Sequence, residues 1–93
     1  MDFVYTFKDD EAGYLDWVRR FKHGYVLNAD RTPRAEYLIL HRSTCGTITG
    51  KPARGEAWTK DFIKICSMSK SDLRDWAMQT TGGVPQPCGT CAP

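Results

Sequence analysis

Five side chains in this sequence combine types and spacings that suit a metal ion. Pro87-Cys88-Gly89-Thr90-Cys91-Ala92-Pro93 sets two cysteines in a C-x2-C turn, with a glycine between them and a proline on either side. Such a turn curls round an ion so that both sulfurs reach it at about 2.3 Å. Glycine after Cys88 lets backbone amides point at sulfur. Upstream, His41-Arg42-Ser43-Thr44-Cys45 adds an H-x3-C pair on one loop. Together the pairs supply four ligands for one tetrahedral zinc. Cys66 is a fifth candidate, and two ligand sets follow. One is His41, Cys45, Cys88 and Cys91, with Cys66 buried as a small hydrophobe. The other replaces His41 with Cys66. The first keeps the ligands in two compact pairs and is preferred, because the second takes a lone ligand from a strand. His23 has no ligand-like neighbour and reads as a solvated cation at a helix end.

The cysteines could instead form disulfides or remain free thiols. The first ten residues lack a basic stretch followed by a long apolar run, so no export signal is expected. A reducing, cytoplasmic setting follows, where stable disulfides are disfavoured. Four protein ligands leave no place for a bound water, and no Asp or Glu stands beside either pair as a general base. The ion is therefore expected to be structural, and the chain not an enzyme.

The elements must bring two pairs together across about 40 residues. With 93 residues the chain suffices for one small domain, which buries only roughly 60–65% of its unfolded surface. Its apolar content of 41% and aromatic content of 12% exclude disorder. No apolar run approaches the ~20 residues of a membrane helix. Phe3 to Phe7 is aromatic and β-branched, a first strand. Asp9 or Asp10 caps a helix with Glu11 in its first turn; Tyr14, Leu15, Val18 and Phe21 recur at helical spacing, and Gly24 is the expected stop. Tyr25–Asn28 and Tyr37–His41 read as strands of a hairpin joined by a polar, basic loop. Thr44–Trp58 reads as a loop with a short extended piece at Thr47–Thr49. Phe62–Cys66 is a further strand, and Ser69 or Ser71 caps a second helix carrying Leu73, Trp76 and Ala77 on its buried side. The expected fold over residues 1–93 is a small single α+β domain: a three- to four-stranded, mainly antiparallel sheet, two helices and one structural zinc site.

From Leu38 to Pro93 the chain resembles the metal-binding domain of the Ada DNA-repair family. Pro87, Cys88, Cys91 and Pro93 match that family's closing motif, and Cys45 matches the second ligand of its first pair. His41 stands where the family has a cysteine. The resemblance implies a zinc scaffold and a habit of binding nucleic acid. It does not imply methyl transfer from DNA phosphotriesters, which needs a zinc-bound thiolate at the position of His41. Three thiolates and one imidazole also leave the site at about −1 rather than −2, so it repels phosphate less.

Three functions are compatible with these features. The first is a nucleic-acid-binding module. Between Arg31 and Lys64, seven Lys or Arg oppose three acids, a local +4; Arg31, Arg34, Arg42, Lys51, Arg54 and Lys60 would track DNA or RNA phosphates, and Trp58 would stack a base. The second is a zinc-stabilised interaction module of a larger protein assembly, with an exposed apolar patch involving Trp58, Met68 or Trp76. The third is an alkyl-transfer or redox enzyme using Cys66, its thiol activated by Lys64 on the same strand face.

Overall fold

The computed structural model describes residues 4–49 and 57–93. Its elements run β1 (Tyr5–Phe7), α1 (Glu11–Arg20), β2 (Tyr25–Asp30), β3 (Leu38–Arg42), β4 (Phe62–Ser67), α2 (Lys70–Thr81) and β5 (Gln86–Pro87). The strands form one sheet in the order β1-β4-β2-β3-β5, antiparallel except for the β3–β5 pair. This is the expected α+β fold with two helices, and it has five strands rather than three or four.

The sheet is apolar on both faces because its central strands carry apolar residues at successive positions, which point to opposite sides. Leu27, Ala29, Leu38, Leu40, Ile63 and Ile65 pack with Leu73 and Ala77 of α2. Val26 and Cys66 face the other way and pack with Tyr14, Trp17 and Val18 of α1, together with Cys45, Ile48, Trp58 and Cys88. His41 alternates with Leu40 and so lies on the α1 face.

Local signals account for most boundaries. Asp10 caps α1 by accepting from Gly13 N–H at 2.9 Å, and Ser69 caps α2 by accepting from Asp72 N–H. Helix α1 stops earlier than Gly24: Phe21 leaves helical geometry as the C-cap, and its ring packs 5.0 Å from that of Trp17. Strand β2 runs on to Asp30, beyond the expected Asn28, because Asp30 pairs with Phe62 of β4. Thr47–Thr49 is a turn rather than an extended piece; Ile48 N–H donates to Cys45 O at 3.2 Å, and the Ile48 side chain is buried.

The last connection delivers the cysteine turn. Gly82 ends α2 with a left-handed φ of 76°, its N–H donating to Met78 O at 3.0 Å. Gly83 then passes so close to Ala35 that a Cβ would lie 2.8 Å from the Ala35 Cα. Three residues later the chain lies parallel to β3, pairing Gln86 with Ile39 and Pro87 with Leu40. Periodicity cannot announce a two-residue strand, so β5 was absent from the expected sheet.

Candidate metal centre

Strand β5 sets Cys88 beside the end of β3, where Cys88 N–H donates to Leu40 O at 2.8 Å. His41 follows Leu40 directly. The turn after β3 brings Cys45 back, its N–H donating to Arg42 O at 3.0 Å. The C-terminal turn, closed by Ala92 N–H to Cys88 O at 3.0 Å, presents Cys91. One ligand atom from each of His41, Cys45, Cys88 and Cys91 lies within 4.8 Å of all the others. The two halves of the set thus meet although Cys45 and Cys88 are 43 positions apart. All four cysteines are free thiols.

The donor set fits a tetrahedral ion. With metal–sulfur bonds of about 2.3 Å, sulfurs stand about 3.8 Å apart, and Cys45 Sγ and Cys88 Sγ are separated by 4.0 Å. Backbone amides point at sulfur: Thr90 N–H donates to Cys88 Sγ at 3.3 Å and Arg42 N–H to Cys91 Sγ at 3.2 Å. Thr47 Oγ1 lies 3.0 Å from Cys45 Sγ and 3.4 Å from His41 Nδ1, and so supports one ligand of each type.

The electrostatics agree with the donor chemistry. Burial, helped by the charge of Lys64, lowers His41 to about 4, so its imidazole is neutral at pH 7, as a ligand must be. At Cys88 burial disfavours the thiolate, but the amides of Cys91 and Thr90 and the neighbouring thiols outweigh it and bring the group to about 7. Burial and the nearby sulfurs push Cys91 up to about 11. Without a cation the cluster therefore resists becoming fully ionised, and a metal would relieve that mutual repulsion.

Cys66 is not part of this cluster. It is fully buried in β4, across the sheet from Val26 and Tyr5, and burial pushes its thiol well above the usual range despite Lys64. That corrects both the alternative ligand set and the activated-thiol reading. Lys64 does share its face, but the ammonium donates to Asn28 Oδ1 and to Trp58 O, each at 2.7 Å. His23 is exposed.

The basic residues expected to track phosphates are not gathered into one open face. Arg31 forms a two-pronged pair with Asp9 at 2.6 and 2.9 Å and also donates to Lys60 O at 2.9 Å. Arg34 is paired with Asp30. Arg42 grips the C-terminal turn, with Nε to Cys91 O at 3.1 Å and Nη2 to Ala92 O at 3.3 Å. Ala92 takes a left-handed φ of 44° in that turn. Lys60 is exposed, and Lys51 and Arg54 lie outside the described residues.

Trp58 requires a correction, since at 8% exposure it cannot stack a base. Its ring lies 6.4 Å from that of Tyr14, and Glu11 accepts from the backbone N–H groups of Trp58 and Thr59. Those bonds draw the segment down onto α1. Thr47 and Arg42 were missed as supports of the cluster; their only sequence signal was adjacency to its ligands. No family model, curated protein or solved structure matches this chain, so the case for the centre rests on its own geometry.

Proposed function

We propose that this chain is a zinc-stabilised module that binds a protein partner and has no catalytic role of its own. The convergence of His41, Cys45, Cys88 and Cys91 within 4.8 Å carries this reading. Three thiolates and an imidazole in tetrahedral array favour zinc over hard cations, which prefer oxygen. Four protein donors fill the ion's coordination, so what it supplies is a cross-link between the end of β3 and the C-terminal turn. The likeness of the closing motif to that of the Ada metal-binding domain supports the same reading, with His41 replacing the cysteine that repair chemistry requires.

A protein partner is favoured by a groove between α1 and the start of α2. Tyr5, Phe21 and Met68 are exposed around it and Trp17 lies within it. Of the apolar residues expected at such a patch, Met68 is exposed whereas Trp58 is buried. The nucleic-acid reading stands second, resting on Arg31, Arg34 and Lys60 at the surface.

Metal analysis of protein purified without added zinc tests the first part. About one equivalent of zinc is expected, and folded protein free of zinc overturns it. Titration with labelled single- and double-stranded DNA at two salt concentrations tests the second. Tight binding that weakens steeply with salt would favour nucleic acid over protein.

A further inference from the structure

A second site lies on the α1 face of the sheet, bordering the cysteine cluster through Thr47 and including none of its four ligands. A cleft of about 360 Å³ opens there, with Lys64, Asn28, Tyr37, Phe62, Trp58 and Arg34 in its lining. This volume is in the range of small-molecule sites. Its polar groups form a directed chain. Lys64 Nζ donates to Asn28 Oδ1 at 2.7 Å, and Asn28 Nδ2 donates to Tyr37 Oη at 3.1 Å. The phenolic oxygen is thus already an acceptor, and its proton has no acceptor among the described residues. Arg34 uses Nε on Asp30, and its two terminal nitrogens likewise have no acceptor among the described residues. Lys64 spends two of its three N–H groups, on Asn28 and on Trp58 O.

The lining therefore presents unfilled donors from Tyr37, Arg34 and Lys64. Asp30 offsets the charge of Arg34, whereas the ammonium of Lys64, 3% exposed, is hydrogen-bonded to the neutral oxygens of Asn28 and Trp58 and feels Glu11 only through its field. Burial lowers that ammonium to about 8 against the opposing charge of Glu11, so a nearby anion would be favourable. The walls are aromatic: the rings of Tyr37 and Phe62 lie 5.4 Å apart, and Lys64 Nζ sits 5.9 Å from the centroids of both Phe62 and Trp58.

We propose that this cleft binds a small planar ring carrying one anionic group, a carboxylate or a phosphate. The anion accepts from Tyr37 and Arg34 under the field of Lys64, and the ring packs on Phe62 and Tyr37. The groups proposed to hold the anion and the ring belong to none of the four metal ligands, and the site is tested on the protein as purified.

The test is an NMR titration of the ¹⁵N-labelled protein at pH 7 with benzoate, AMP and inorganic phosphate. Saturable shifts centred on the Asn28 side-chain amide and Tyr37 are expected with benzoate, AMP or both. The benzoate and AMP arms separate carboxylate from phosphate recognition. Tyr37→Phe, which removes one hydroxyl, should weaken binding about tenfold, and the surface change Arg34→Gln about fivefold. Both variants are expected to keep the wild-type spectrum elsewhere. The proposal is overturned if neither ringed anion binds, if both variants bind undiminished, or if phosphate alone binds as tightly as AMP.

Discussion

Arg42 donates from Nε to the carbonyl oxygen of Cys91 at 3.1 Å, tying the end of β3 to the C-terminal turn. Its own N–H donates to Cys91 Sγ at 3.2 Å, so one residue holds both the orientation and the sulfur of a ligand 49 positions away. Arg42→Ala should lower metal affinity about 10- to 100-fold, the usual effect of losing a group that supports a ligand. Arg42→Lys should recover little, because a lysine cannot reproduce the two-pronged reach. Competition with a chromophoric chelator measures this, and unchanged affinity in Arg42→Ala would sink the assignment.

Chelation should destabilise the fold. An ion present at 100 times its Kd adds about 2.7 kcal/mol, or about 10–20 °C in Tm for a chain of this size. Calorimetry before and after a strong zinc chelator should show that drop, and Cys88→Ser should reproduce it without chelator. An unmoved melting curve would show that the cluster does not hold the fold together.

Tyr14 is fully buried, and its hydroxyl donates to Ile48 O at 2.7 Å, joining α1 to the turn that carries Cys45. Tyr14→Phe leaves that carbonyl unpaired in the core and should cost about 1–2 kcal/mol in urea unfolding. A loss within error of zero would mean that water or a shifted backbone satisfies Ile48.

Lys64 gives a pH signature. Its folded-state value is about 8, below the ordinary 10.5, and burial is the main cause, with Glu11 and Cys66 opposing it. Between those two values the unfolded chain binds more protons, so the contribution of this group to stability rises with pH across pH 8–10.5. The rise should be roughly 3 kcal/mol. It is read as the wild-type minus Lys64→Met difference in unfolding free energy, which cancels the cysteines and tyrosines titrating nearby. A flat difference would mean that the ammonium is better solvated than its surroundings imply.

The sequence spoke clearly where chemistry is local. Capping at Asp10 and Ser69, the hairpin of β2 and β3, and the two cysteine-bearing pairs were all legible, because each depends on residues a few positions apart. Strand β5 was not, since two residues show no alternation and Pro87 argues against a strand; its place comes from Gly83 passing against Ala35. Trp58 was misread for a related reason. Its burial depends on Glu11, 47 positions earlier, accepting from its backbone. Lys64 was half legible: a lysine within Phe62-Ile63-Lys64-Ile65-Cys66 stands out, but its partner Asn28 is on another strand.

Beside β3 the C-terminal segment contributes only two paired residues, far too little to stay docked by its own backbone bonds. If the ion is what keeps it there, withdrawing the ion uncovers the β3 border, whose Leu38-Ile39-Leu40 run would invite a strand from a neighbouring molecule. The metal would then guard against self-association as much as it braces the monomer, and depleted protein should turn cloudy before its hairpin melts.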